Sequence, residues 1–192
     1  MTPLVQLFAS IIKSTNLTVQ LEVPLINLGP IAIPPNDSSG RMDLHVTSCD
    51  SSSFLADVTV IHPAPADTNT LDQQAFLPSH FAKHAEARKN RKYRAASEFI
   101  GQRFIPIALE TYGTLGPEAS KLLKNLAGRQ IESENHSRSS LIRIWRVKIS
   151  AALQRANARL IISKSNRIRR FLRQNSQPNP HNLILTEQWE IT

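Results

Sequence analysis

Two short segments, residues 41–47 and 54–61, alternate apolar and polar side chains and are separated by a polar turn. A period of two is typical of β-strands, and two such segments so close together predict a hairpin. Each predicted strand carries one aspartate, Asp43 or Asp57, with thirteen residues between them. If the turn centres on Asp50, the two aspartates face each other across the hairpin and share one face of the sheet. The chain is therefore expected to fold around a sheet that holds two opposed carboxylates.

The aspartate pair needs compensation, because like charges directly opposite each other destabilise a sheet. A cation between the two carboxylates, or a basic side chain nearby, would let both stay ionised. Paired carboxylates are hard oxygen ligands of the kind that suits Mg²⁺. The alternative interpretation is structural: one aspartate is exposed at a turn, and the other is capped by backbone amides.

The other periodicities predict a mixed α/β fold. Helices are predicted over residues 2–12, 79–101 and 117–128, and strands over residues 17–23, 41–47, 54–61 and 103–110. Pro3 suits the first turn of a helix, and Gly128 is typical of a helix end. The order of helix, three strands, helix, strand and helix predicts a mixed central sheet flanked by helices, which is a three-layer α/β core.

The positive charge of the chain lies mainly in its last third. The net charge is +8, which favours a polyanionic partner. Residues 136–174 contain eleven Lys and Arg residues and no acid, and they predict a basic helix over 138–163 and a second one from Asn166. These features divide the chain into a core over residues 1–130, a basic helical extension over 131–174 and a flexible tail over 175–192.

The helix predicted over residues 79–101 carries a lysine on its apolar side. At 100° per residue, Lys89 lies in the middle of an apolar stripe, and Tyr93 follows one turn later. A lysine in that position must extend to solvent or meet an anion, and two carboxylates would supply the negative charge. Lys92 lies beside the stripe. The alternative is that Lys89 is simply solvated on a basic helix.

Composition excludes several kinds of protein. The single cysteine, Cys49, excludes an internal disulfide and a cysteine-based zinc site within this chain, and an ordinary thiol in the turn is expected. No apolar run is long enough to span a bilayer, so no membrane partner is expected. Residues 1–12 are apolar but lack the flanking features of a signal peptide, which favours a core helix.

Three of these features together resemble a known family. These features are the pattern Arg41-x-Asp43, then Asp57 after thirteen residues, and then the segment KNRKY from Lys89 to Tyr93. Together they are similar to the restriction-endonuclease-like domain of site-specific non-LTR retrotransposon polyproteins. That domain, at the C-terminal end of the polyprotein, belongs to the PD-(D/E)xK nuclease superfamily. The resemblance covers about residues 17–128.

The sequence departs from the family pattern in two ways. Met42 stands where the family has a proline, which shapes the backbone and not the chemistry. The cysteine–histidine zinc knuckle and the reverse transcriptase, which precede the domain in the family, are not in this sequence. The chain is therefore expected to be a C-terminal fragment, a decayed copy or an independently expressed copy.

The resemblance implies a set of site residues. Asp43 and Asp57 would be catalytic and would bind Mg²⁺ or Mn²⁺, and Glu22 would be an accessory metal ligand or else a solvated strand residue. The usual lysine of the superfamily falls on Thr59, so its role would pass to Lys89. The implied function is a metal-dependent DNA endonuclease of a nuclear retrotransposon-type protein, which nicks target DNA to prime reverse transcription and has the rest of the polyprotein as a possible partner.

Nucleic-acid contacts are expected from basic residues of two predicted helices, namely Arg91, Lys92, Arg143, Arg146, Arg155 and Arg159. The alternatives are that these arginines form only the solvated face of a buried helix, or that they pair with acidic residues of the polyprotein. A catalytically inactive nucleic-acid-binding remnant of the same fold is the second functional hypothesis. A DNA junction-resolving enzyme would share the fold and the metal site.

Overall fold

A computed structural model describes residues 2–29, 40–48, 53–63, 77, 79–131 and 137–175. The chain forms two compact units, Met1–Gln154 and Arg155–Thr192. This division falls after residue 154, whereas the sequence predicted a boundary at residue 130. The predicted thiol of Cys49 and the predicted tail after residue 175 lie outside the described residues.

The described residues of the first unit form an α/β arrangement. They contain α1 (Pro3–Lys13), β1 (Thr18–Pro24), a short 3-10 helix (Leu25–Leu28), β2 (Arg41–Thr47), β3 (Phe54–Ile61), α2 (His80–Phe99), β4 (Arg103–Glu110) and α3 (Pro117–Ile131). A further helix, α4 (Arg138–Asn175), contains the division between the units. The backbone N–H of Val5 donates to Thr2 Oγ1 at 3.4 Å, which caps α1 as a threonine before Pro3 should.

The four strands form one mixed sheet in the order β1-β2-β3-β4. The first three strands pair antiparallel, and β4 lies parallel to β3. A parallel pair needs a crossover connection, and α2 is the helix between β3 and β4. The predicted mixed α/β class is confirmed at this level.

Apolar side chains form separate clusters on opposite faces of the strands. The largest cluster joins α1, the sheet, α3 and the first part of α4, with Phe8, Ile107 and Trp145 among its members. Leu55 instead packs with Tyr93 of α2 in a second cluster. Small side chains let α2 pack closely against the sheet, because Ala82 and Ala85 of α2 and Ala108 of β4 are almost fully buried. Two glutamates, Glu86 of α2 and Glu110 of β4, are buried as well.

Two helix ends differ from the predictions. α3 continues through Gly128 to Ile131, because Gly128 keeps an ordinary negative φ and a glycine inside a helix only weakens it. The two predicted basic helices are one helix, α4, which runs to Asn175. Neither Pro nor Gly occurs between residues 138 and 175, so nothing in the sequence forces the helix to stop near Asn166.

The apolar stripe of α4 is only partly buried. Leu141, Trp145, Ile149 and Leu153 belong to the core of the first unit. Leu160 continues this stripe at helical spacing, and an apolar stripe is expected to be buried, but 61% of its surface is exposed. None of the described helices is long and apolar enough to cross a membrane.

Candidate functional site

The two aspartates lie on neighbouring strands. The register of β2 and β3 pairs Leu44 with Ala56, and one further step along it brings Asp43 opposite Asp57. The Val58 N–H donates to Asp43 Oδ2 at 2.8 Å. The Asp43 carboxylate thus accepts a backbone hydrogen bond from β3 just beyond the last backbone pair between β2 and β3. The hairpin predicted from the alternating pattern therefore brings the two acids together.

Lys89 reaches the aspartate pair from α2. Its Nζ lies 2.7 Å from Asp57 Oδ2, and the side chains are 24% and 11% exposed respectively. Thr59 Oγ1 donates to the same oxygen of Asp57 at 3.2 Å. Thr59 thus contacts the acid from the position where the superfamily pattern has a lysine. The prediction that Lys89 faces the aspartate pair is confirmed.

The surroundings of Asp43 oppose its ionisation. Burial raises the pKa of Asp43 above its ordinary value of 3.8, and the nearby charges of Asp57 and Glu22 raise it further. The hydrogen bond from the Val58 N–H and the charge of Lys89 act in the opposite direction, because both favour the carboxylate. The net effect is a raised pKa for Asp43, and a cation close to its carboxyl group would favour the charged form.

Glu22 lies across from Asp43 in the register of β1 and β2. Its neighbours in β1 pair with Leu44 and Met42, and Glu22 itself has a φ of 50°. A non-glycine residue in this left-handed region locally distorts a strand. The charge of Glu22 is near enough to raise the pKa of Asp43, and its carboxylate also pairs with Arg41, with Oε2 3.8 Å from Nη1.

Met42 does not follow the alternation of its strand. A regular period of two would place Met42, Leu44 and Val46 on one face of β2. Leu44 and Val46 do pack in the large cluster, but Met42 packs with Leu55 and Tyr93 in the second cluster. The strand therefore turns at Asp43, which is where the pairing with β3 also ends.

A magnesium site at this position would use two protein carboxylates. No group of three or more His, Cys, Asp or Glu side chains suited to a metal is present in the described parts of the chain. Mg²⁺ commonly binds through one or two carboxylates and fills its other positions with water and substrate phosphate. Asp43 and Asp57 match that requirement, and Lys89 would compete with the metal for Asp57 Oδ2.

The basic residues of α2 surround Tyr93. Lys89 Nζ lies 5.6 Å and Lys92 Nζ 4.8 Å from the centre of the Tyr93 ring, distances typical of cation–π contacts. Tyr93 is buried and packs against Phe104 at a centroid distance of 5.4 Å, which favours a structural role for the ring. Arg91 and Lys92 are exposed, as a nucleic-acid contact requires.

The four candidate arginines of α4 are all exposed. Arg143 and Arg146 belong to the first unit, and Arg155 and Arg159 belong to the second. Exposure leaves them available to phosphates but does not by itself distinguish a DNA contact from a solvated helix face.

The sequence analysis missed Glu86, which is buried on the same side of α2 as Lys89. Its carboxylate accepts hydrogen bonds from the backbone N–H groups of Glu118 and Ala119, each at 3.0 Å, at the start of α3. Burial raises the pKa of Glu86, and these two hydrogen bonds oppose that effect. The signal was present in the sequence, because the helical period places Glu86 beside Ala82 and Lys89 on the inward stripe.

No protein-family model matches the chain, and a search of curated proteins gives no significant match. The family resemblance therefore stands on the residues themselves: two aspartates across a hairpin, and a lysine from the crossover helix.

Proposed function

We propose that the chain is a metal-dependent DNA endonuclease domain with a three-layer, restriction-endonuclease-like core. The observation that carries this proposal is the contact of 2.7 Å between Lys89 Nζ and Asp57 Oδ2, in a hairpin that places Asp43 opposite Asp57. Two acids and a lysine are a set of groups that phosphodiester hydrolysis can use. In the family that the sequence resembles, the nick serves to prime reverse transcription, and that is the role proposed here.

Each residue of the site has a separate task in this proposal. Asp43 and Asp57 would hold the metal ion, Mg²⁺ or Mn²⁺, which would supply Lewis-acid stabilisation of the scissile phosphate and activation of the attacking water. Lys89 starts as the counter-ion of Asp57. When a phosphate enters, the Lys89 ammonium can move to the phosphate oxygens and stabilise the developing negative charge, or it can orient the attacking water.

The proposed partner is DNA, in a nuclear retrotransposon-type protein. The net charge of +8 supports a polyanionic partner, and the exposed Arg91 and Lys92 lie on the same helix as Lys89. Contacts from exposed basic residues to phosphates give affinity without sequence specificity. The remainder of a retrotransposon polyprotein is the proposed protein partner.

A second candidate is a nucleic-acid-binding domain that does not cut. The observation in its favour is that the acids already have partners within the protein: Val58 N–H donates to Asp43, and Lys89 pairs with Asp57. These contacts would support the fold without a metal, because Lys89 compensates Asp57 and the Val58 N–H favours the Asp43 carboxylate. The same basic surface would then hold DNA without hydrolysis.

A nicking assay on supercoiled plasmid separates the two functions. The chain is incubated with plasmid in Mg²⁺ or Mn²⁺, beside Asp57→Ala and a control, Glu98→Ala, which removes an exposed acid of α2 paired with Arg94. The endonuclease proposal expects open-circular product from the wild type and from Glu98→Ala, and none from Asp57→Ala. DNA binding without any cutting by the wild type would favour the second candidate.

A further inference from the structure

A cavity of about 490 Å³ lies within the first unit and shares no residue with the aspartate site. The residue before α2, the connection from β4 to α3, the first turn of α3 and the face of α4 surround it. Its volume falls in the range of small-molecule sites, which is roughly 300–1,000 Å³. Ser79, at the edge of the cavity, lies ten residues before Lys89, which is about 15 Å along a helix.

The lining of the cavity combines donors with one fixed positive charge. Four hydroxyl groups come from four different segments and belong to Ser79, Thr114, Ser120 and Ser150. Arg146 adds a guanidinium, and the described lining residues include no acid. Guanidinium and hydroxyl donors arranged around a space are suited to a phosphate group, because each can donate to its oxygens.

The rest of the lining is apolar. Leu115, Val147 and Ile149 form part of the wall, and they would contact an uncharged portion of a ligand. Inorganic phosphate alone would leave these contacts unused, and an apolar ligand would leave Arg146 unpaired. A ligand with a phosphate at one end and a flat or apolar body at the other matches both parts of the lining.

One wall of the cavity is held in place by a tight turn. Glu110 N–H donates to the Thr114 carbonyl at 2.8 Å, and Gly113 N–H donates to the Glu110 carbonyl at 2.8 Å. Gly113 has a φ of 99°, a conformation that side chains rarely allow. The turn thus presents Thr114 and Leu115 to the cavity in a fixed geometry, which reduces the ordering that binding requires.

We propose that this cavity binds a phosphate-bearing ligand of nucleotide size, with its phosphate on Arg146 and its base or sugar against Leu115 and Val147. The shared chemistry has two sources, a free mononucleotide and a single nucleotide within a DNA strand. The proposal does not rest on the endonuclease activity, because Asp43, Asp57 and Lys89 take no part in it.

The test compares two basic residues of the same helix. Arg146→Ala removes the charge at the cavity, and Lys148→Ala removes an exposed charge two residues later, at a residue that does not line the cavity. Binding of fluorescent AMP and of a labelled eight-nucleotide oligo-dT is measured by anisotropy at fixed salt. Loss of a charge-assisted contact should weaken binding about tenfold in Arg146→Ala, and Lys148→Ala should stay within about twofold of the wild type.

A second variant, Ser150→Val, removes a hydroxyl donor from the lining and narrows the cavity without changing the charge. Ser150→Val should weaken binding of the same probe as Arg146→Ala does, whereas Glu98→Ala, which removes an exposed acid of α2, should bind like the wild type. Loss for both probes identifies a mononucleotide site, and loss for the oligonucleotide alone identifies a site for a nucleotide within a strand. Equal losses in Lys148→Ala and Arg146→Ala, unchanged binding in Ser150→Val, or no binding of either probe would overturn the proposal.

Discussion

At the scale of single residues, one ammonium group is the main compensation for the buried charge of Asp57. The Asp57 side chain is 11% exposed and contacts Lys89 and Thr59, while Asp43 has the Val58 N–H. Removing one member of a buried ion pair leaves the other charge uncompensated, which costs about 3–5 kcal/mol in a fully buried pair and less where water can enter. Lys89 is therefore expected to matter for the fold as well as for chemistry.

Lys89 and Lys92 provide a matched pair of variants, because both flank the Tyr93 ring. Lys89→Ala should abolish nicking and leave DNA binding nearly unchanged, since one phosphate contact among many is a small loss. Lys92→Ala should do the opposite, with a modest, salt-dependent loss of binding and retained cleavage. Plasmid nicking and anisotropy with labelled DNA measure the two effects, and thermal melts show whether each variant is folded.

The reverse outcome would show that Lys89 is not the catalytic lysine. If Lys92→Ala loses nicking and Lys89→Ala retains it, the ion pair with Asp57 is structural. If the wild type cuts and neither substitution matters, the proposed role of a helix lysine is wrong for this protein.

The positions of single residues were predictable where a regular period decides them. The period of two placed Asp43 across from Asp57, and the helical period placed Lys89 towards them. The directions of Glu22 and Met42 could not be found in this way. Glu22 has a left-handed φ at a non-glycine residue, which no local sequence pattern marks, and Met42 departs from the alternation of its own strand.

At the scale of elements, two buried carboxylates attach α2 to its neighbours. Glu110 of β4 accepts from the Ala82 N–H at 3.2 Å in the first turn of α2, and Glu86 of α2 accepts at the start of α3. Gly116 is required for the second contact, because a Cβ there would overlap the Glu86 carboxylate. These bonds fix the helix that carries Lys89, so they position the lysine indirectly.

The raised pKa of Glu86 makes a prediction about pH. Burial is its main cause, so the folded chain holds the proton more tightly than the unfolded chain does. The contribution of Glu86 to stability should fall as pH rises from its ordinary pKa of 4.5 to the raised value, and stay level above that. Urea unfolding at a series of pH values measures the free energy of unfolding of the wild type and of Glu86→Gln. The difference, wild type minus variant, should show this fall.

The exposed Glu98 supplies the control for Glu86. The difference between the wild type and Glu98→Gln, measured over the same pH range, is the reference against which the fall is compared. A wild type minus Glu86→Gln difference that increases with pH would mean that the two backbone N–H bonds outweigh burial and lower the pKa of Glu86.

Two leucines of α4 test where the helix stops contributing to the core. Leu153 is 1% exposed and Leu160 is 61% exposed, although they have the same chemistry and lie on one stripe. Leu153→Ala should lower the free energy of unfolding by about 2–5 kcal/mol, and Leu160→Ala should change it by less than about 0.5 kcal/mol. Chemical denaturation measures both, and equal losses would mean that Leu160 is buried in solution.

The types of the elements were predictable, but the extent of the last helix was not. The strands over residues 41–47, 54–61 and 103–110 have the predicted bounds, because alternation and flanking polar residues define both ends. α4 has the same composition on both sides of residue 154, with arginines and an apolar stripe throughout. Only tertiary packing separates its buried part from its exposed part, and helical periodicity carries no information about that packing.

At the scale of the whole molecule, charge and core are distributed differently along the chain. The unit from Arg155 to Thr192 contains seven Lys and Arg residues and two Glu residues, so its removal would change the net charge from +8 to +3. The described apolar clusters lie entirely within the other unit, whose last core residue is Leu153. The positive charge can therefore be reduced without removing those core residues.

A truncation after Gln154 should separate DNA affinity from folding. The shortened chain keeps Leu141, Trp145 and Leu153, so its thermal midpoint should stay close to that of the full chain. A matched truncation at residue 137 removes these buried side chains and should unfold the core, since each large-to-small loss in a core costs about 2–5 kcal/mol. Circular dichroism measures both results.

The DNA affinity of the chain truncated after Gln154 then tests what the basic half of α4 does. The logarithm of the affinity falls with the logarithm of salt concentration by about 0.9 for each phosphate contact on duplex DNA, because each contact releases counterions. If Arg155, Arg159 and their basic neighbours contact DNA, the truncated chain should bind more weakly and with a shallower slope. Anisotropy titrations of both chains between about 50 and 200 mM salt measure this slope. An unchanged slope would mean that these arginines serve a protein contact or only solvate the helix, and that the DNA contacts lie on the first unit, beside Lys89 and the two aspartates.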